Sequence, residues 1–167
     1  MDILESVIEQ TSYETEYMLE RGKPMPSKNH SKLEARFSRA LLNKYFDVYD
    51  IDAELSLDLT TGKATPDVVV SKLTKDDWVN DEIKVKVAPI MVIEILSPTQ
   101  GMVEITDKMS KIYFAAGVKS VWVVIPTVQT ISVFSPNLKS QTFTDGIVKD
   151  DNTGIELDMT VIFPKKS

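Results

Sequence analysis

A carboxylate set in an apolar strand is costly unless it is paired, protonated or bound to a cation. Glu94 is such a residue, in the run Ile90-Met-Val-Ile-Glu94-Ile-Leu96. A second acid, Asp67, follows Pro66 and leads into Val68-Val-Val70, with 26 residues between the two acids. Two carboxylates converging from neighbouring strands can hold Mg²⁺ or Mn²⁺ with waters still bound. Such an ion lowers the pKa of an attacking water and stabilises charge on a phosphate, and a lysine near the line of attack adds positive charge. That is the minimal set for hydrolysing a phosphodiester.

Two lysines follow Glu94 on a predicted helix, Lys108 and Lys111. At about 100° per residue, Lys108 lies roughly 80° from the centre of the apolar face and Lys111 about 140°. Lys108 is therefore on the flank, within reach of the sheet, and is the favoured candidate; Lys111 points more to solvent, where it forms an i,i+4 pair with Asp107, and is the alternative. Other acids compete. Glu34 could add a carboxylate from the preceding helix, although it also completes the capping box Ser31-Lys-Leu-Glu34. Glu54 alternates with apolar neighbours and is expected to face solvent. His30, the single histidine, could contact a phosphate. The literal triplet Glu82-Ile-Lys84 follows Asp67 after 14 intervening residues, but its surroundings, VNDEIKVKV, read as a solvated hairpin or edge strand. A lone histidine and no cysteine exclude a His- or Cys-rich zinc site. No Gly-x-Ser-x-Gly or phosphate-binding glycine loop occurs.

The surrounding elements must position these groups. Residues 1–22 read as helical or mixed, and residues 1–25 as an extension packed on the domain. A helix runs from Ser31 to about Tyr45 with Leu33, Phe37, Ala40 and Leu41 on one stripe. A strand is expected from Asp47 to Leu59, then a turn at 60–63 and a strand at 68–70. Residues 72–88 read as a long connection holding a short helix or hairpin. The strand at 90–96 precedes a helix carrying Met102, Ile105, Met109, Ile112, Tyr113 and Ala116 on one face. Gly117 stops it. Strands at 118–125 and 130–134 form a hairpin, and 140–148 and 159–163 are weaker strand candidates. Tyr113 and Trp122 read as core. The result is one domain over residues 1–167, a mixed α/β sheet flanked by helices.

The ordered pieces Pro66-Asp67-Val-Val-Val70, Val92-Ile-Glu94-Ile-Leu-Ser97-Pro98 and Tyr113-Phe-Ala-Ala-Gly117-Val118-Lys-Ser-Val-Trp122 resemble the PD-(D/E)xK nuclease superfamily. More narrowly, they resemble a large bacterial family of restriction-endonuclease-like proteins abundant in cyanobacteria, as does Gly22-Lys-Pro-Met-Pro-Ser-Lys-Asn-His30. The resemblance implies a restriction-endonuclease-like fold, a Mg²⁺ or Mn²⁺ site at Asp67 and Glu94, DNA as substrate and a homodimer. It also shows a departure. The superfamily's lysine usually lies two residues after the acid, where this chain has Leu96. In the narrower family it lies on the following helix, in a register that falls on Met109, one position from Lys108.

No apolar run approaches the ~20 residues needed to span a bilayer, and the acidic start lacks a signal-peptide pattern, so a soluble, cytoplasmic protein is expected. The net charge of −6 opposes broad, charge-driven binding to nucleic acid but leaves room for a local basic groove. A catalytically silent nuclease fold that binds a protein or nucleic acid is the second reading.

Overall fold

The computed structural model describes residues 3–165. Its centre is a six-stranded mixed sheet in the order β1-β4-β5-β6-β7-β8. The strands are β1 (Tyr49–Ala53), β4 (Val68–Lys72), β5 (Met91–Ile95), β6 (Ser120–Ile125), β7 (Thr130–Phe134) and β8 (Ser140–Phe143). Only β5 and β6 pair in parallel, and the helical crossover between them covers one face; the other neighbours are antiparallel. Strand β5 is buried along its whole length, as a central strand covered on both faces must be.

Two apolar layers lie on the sheet. On one face, helix α2 (Lys28–Tyr45) lays Leu33, Phe37 and Leu41 over Val68, Val70, Met91, Ile93 and Trp122. A small hairpin, β9 (Ile147–Lys149) with β10 (Glu156–Asp158), closes the same layer with Val148, Ile155 and Leu157. On the other face, α3 (Met102–Lys108) and the helical turns that continue it to Ala116 bury Ile105, Met109 and Tyr113 against Val69, Val92, Val121 and Val123. The hairpin of β2 (Leu57–Leu59) and β3 (Gly62–Ala64) sits beside them.

Several expectations change. Helix α2 begins one turn earlier than Ser31: Ser27 is its N-cap, and its hydroxyl accepts the His30 N–H at 3.2 Å. Glu34 is thus in the second turn and caps nothing. The strand expected from 47 to 59 breaks at Glu54, which adopts φ +50°, and β2 leaves the main sheet to pair with β3. Residues 73–88 contain neither helix nor hairpin; their regular contact is the bridge of Val85 to Leu57. Residues 140–148 split between β8 and β9, and Met159–Val161 is a 3₁₀ turn capped by Asp158, whose carboxylate accepts the Thr160 N–H. Met102 is exposed. Helix α1 (Ile3–Arg21) does not pack as expected: Ile3, Leu4, Ile8 and Leu19 are exposed. What docks from this segment is Lys23, after Gly22 turns the chain at φ +69°.

Candidate metal centre

The antiparallel registers put three acids in one row across the sheet. Continuing β1–β4 beyond Ala53–Val68 sets Glu54 against Asp67, with the Glu54 N–H bonded to the Asp67 carbonyl at 3.0 Å. Continuing β4–β5 beyond Val68–Ile93 sets Asp67 against Glu94. Asp67 and Glu94 are buried. Three carboxylates in adjacent strands repel one another, so the chain has to supply cations at this end of the sheet.

It supplies them from three elements. The Lys23 ammonium lies 2.7 Å from Asp67 Oδ1 and 3.0 Å from Glu54 Oε1, and donates to the Thr65 carbonyl at 3.1 Å. His30, in the first turn of α2, puts Nε2 3.0 Å from the same Asp67 oxygen. The other Asp67 oxygen, Oδ2, accepts the Ile95 N–H at 2.7 Å. Burial pushes the Asp67 carboxyl up, but His30 and Lys23 outweigh it and hold the group below the usual range. Burial works against the charged forms of Lys23 and His30, yet Asp67 raises both.

Glu34 is one helical turn after His30, its Oε2 3.8 Å from His30 Nδ1, a buried atom with no hydrogen-bond partner. Burial first, then the charges of Glu54 and Asp67, push the Glu34 carboxyl up to about 7. His30, Glu34 and Asp67 each place one ligand atom within 4.8 Å of the others, a grouping that could hold a metal ion.

Glu94 is served by the opposite layer. The Tyr113 hydroxyl donates to Glu94 Oε1, and Lys108 Nζ lies 3.6 Å from the same oxygen. Burial raises the Glu94 carboxyl, with Lys108 opposing. Lys108 and Tyr113 are five residues apart, which in an α-helix separates them by about 140°. Residues Met109–Tyr113 instead form a π turn, in which the Phe114 N–H bonds the carbonyl of Met109, five residues back. The i→i+5 spacing brings residues five apart to one side. The widened turn thereby brings Lys108 and Tyr113 to one side of the helix, and both reach the same Glu94 oxygen. Thr61 in the β2–β3 turn donates to the Ile112 carbonyl at 2.7 Å. Gly62 has positive φ, and a Cβ there would lie 3.2 Å from the Ile112 side chain, so the hairpin seats closely on the π turn.

Among the described residues the ligand atoms within mutual reach of one ion are those of His30, Glu34 and Asp67, and Glu94 lies outside that grouping, across the strand pair from Asp67. Asp67 Oδ1 is doubly engaged, but Oδ2 accepts one bond only, and Glu94 Oε2 takes no part in the contacts of Oε1. One oxygen on each strand therefore has capacity left for an oxygen-seeking ion.

A model of the Uma2 family, described as "Putative restriction endonuclease", matches residues 8–161. The chain belongs to the Uma2 family. Among solved structures, this Uma2-family chain is similar to a "putative nuclease belonging to DUF820" from Anabaena variabilis, at 23% sequence identity and a TM-score of 0.72. The match covers 84% of this chain and 83% of that one, and it shows a shared fold. No curated protein matches the chain.

Of the residues singled out in the sequence, Asp67, Glu94, Lys108, Glu34 and His30 come together at this end of the sheet. Glu54 joins them rather than facing solvent, because its left-handed backbone at the strand break accompanies ion pairs to Lys23 and Arg21, the latter at 3.7 Å. Glu82, Ile83 and Lys84 are exposed in the irregular 73–88 segment and take no part. Lys111 is exposed and paired with Asp107 at 3.8 Å. Lys23 and the polar role of Tyr113 were missed. Lys23 had a signal: it lies between Gly22 and Pro24, within the stretch that resembles the family's N-terminal segment. Tyr113 had one too, since a core tyrosine must find a partner for its hydroxyl.

Proposed function

We propose that the protein is a metal-dependent endonuclease acting on DNA. The observation that carries this reading is the convergence on Glu94 of Lys108 and Tyr113 from one layer, beside Asp67 with Lys23 and His30 from the other. Asp67 and Glu94 would hold Mg²⁺ or Mn²⁺, with Glu34 as a further carboxylate. The bound ion supplies an activated water and charge stabilisation at the phosphate.

The remaining roles belong to the side chains. Lys108, beside Glu94, would offer its ammonium to a phosphate oxygen as charge builds in the transition state. Tyr113 and the Ile95 N–H fix the orientation of Glu94 and Asp67, so the two oxygens with spare capacity are preorganised. Lys23 and His30 hold Asp67 ionised in its buried position. We also propose a homodimer, supported by the exposed apolar residues Ile3, Leu4, Ile8 and Leu19 of α1.

The test is nicking of supercoiled plasmid DNA with Mg²⁺ or Mn²⁺ by the wild type, Glu94→Ala and Lys108→Ala. Nicking by the wild type alone supports the reading. Equal nicking by all three, or none by the wild type with either metal, overturns it. One observation favours a second reading, a silent nuclease fold that only binds its partner: the Lys23 ammonium already neutralises Asp67. Tight DNA binding without nicking would select that reading.

A further inference from the structure

Helix α2 is basic in an acidic chain. It carries Lys28, Lys32, Arg36, Arg39 and Lys44 against the single acid Glu34. Lys28, Lys32, Arg36 and Arg39 recur at intervals of four, four and three, which gathers them within about 80° of the helix surface. His30 and Glu34 project from the opposite flank, toward Asp67. Beside the basic flank is a cleft of about 480 Å³ whose polar lining is Asn29, Lys32, Arg36, Gln129 and Lys165, with no carboxylate among its lining residues. Phe163 contributes to its apolar wall.

Three features mark this cleft as more than a solvated face. Arg36 is half-buried and its guanidinium is tied to the Ile162 carbonyl at 2.9 Å, so one cation is fixed rather than waving in solvent. Neither Lys32 nor Lys165 pairs with a carboxylate among the described residues. Gln129, one of the lining residues, is held at φ +51°, in the left-handed region that glycine would adopt with less strain. The cleft also lies at the correct end of the sheet. Gln129 follows β6, which runs parallel to β5, so it emerges at the same end as Glu94 and Ile95. The first turns of α2 separate the cleft from the carboxylates by about one helix diameter, ~10 Å, or roughly three nucleotide steps at about 3.4 Å.

We propose that this cleft seats the phosphate backbone of duplex DNA, with Lys32, Arg36 and Lys165 as its phosphate contacts. The proposal rests on the DNA reading above and adds to it where the substrate lies: across the N-terminal turns of α2, with the strand leading to Asp67 and Glu94. In a chain of net charge −6, a local cluster of cations has to overcome the general repulsion of a polyanion.

The experiment is fluorescence anisotropy of a labelled 20-base-pair duplex without divalent metal, over a series of salt concentrations. The proteins are the full-length wild type, Lys32→Glu/Lys165→Glu, and Lys75→Glu/Lys86→Glu, which makes the same charge change in the exposed 73–88 segment. Both variants leave Arg36 and its tie to Ile162 intact, and thermal melting checks that they fold. The expected result is at least tenfold weaker binding by Lys32→Glu/Lys165→Glu than by the control variant. Its log–log salt slope should also be about two units shallower than the wild type's. Equal affinities for the two variants overturn the cleft while leaving the DNA reading standing. A wild type that binds no duplex overturns both.

Discussion

Glu34→Gln tests the electrostatics of the site without touching Asp67 or Glu94. The Glu34 carboxyl is raised from 4.5 to about 7, by burial and by the charges of Glu54 and Asp67. In the unfolded chain it loses its proton near its ordinary value; in the folded protein it keeps it to about 7. Between those values the folded state binds more protons, so this group's contribution falls as pH rises. It is fully present below about pH 4.5 and lost above about pH 7. At about 1.4 kcal/mol per tenfold, the displacement corresponds to about 3 kcal/mol, and partial solvent access to the carboxyl reduces this to about 2 kcal/mol. Glutamine has a similar shape and cannot ionise. Glu34→Gln should therefore be about 2 kcal/mol more stable than the wild type at pH 8 and equal to it within about 0.5 kcal/mol at pH 4. Urea unfolding at the two pH values, followed by the fluorescence of buried Trp122, measures this directly. A stability difference that does not change with pH, or a variant less stable at pH 8, would refute the reasoning.

Three further outcomes follow from the same geometry. Lys23→Met leaves Asp67 buried with one cation fewer, and urea unfolding at pH 7 should show a loss of about 2–4 kcal/mol; a loss below about 1 kcal/mol would mean that His30 and the Ile95 N–H suffice. Tyr113→Phe removes the hydroxyl from buried Glu94 and should cost about 1–3 kcal/mol in the same assay, against no change if Glu94 is satisfied by Lys108 alone. Lys108→Ala leaves buried Glu94 without its cation, so it should melt several degrees below the wild type while staying folded, and nick plasmid about 100-fold more slowly or worse at a temperature where it is folded; wild-type nicking by this variant would remove Lys108 from the mechanism.

The central strands and the burial of Asp67 and Glu94 at their ends were legible because their signals are local. Val68-Val-Val70 and the run around Glu94 could only be buried strands, and β6 and β7 follow from VKSVWVVI and TISVF. What was missed depends on contacts distant in sequence. The break at Glu54 reflects its ion pair to Lys23, across 31 positions, and nothing in the alternation Val48 to Leu59 announces it. Ser27 was overlooked as N-cap because Ser31-Lys-Leu-Glu34 offers a better-looking motif one turn later. Glu34 was weighed against a capping role it does not have. Most instructive is the lysine. Rotation along an ideal helix puts Lys108 on the flank but about 140° from Tyr113, and the π turn is what brings the two to the same Glu94 oxygen. A π turn has no composition signature; here it is accompanied by the close seating of Thr61 and Gly62 on Ile112.

The central claim is that Asp67 and Glu94 together hold a divalent cation. Titration calorimetry with Mn²⁺, on the wild type, Asp67→Ala and Glu94→Ala, tests it most directly. The account predicts saturable binding by the wild type that either substitution abolishes. Absence of binding by the wild type at millimolar Mn²⁺, or undiminished binding by both variants, would contradict it.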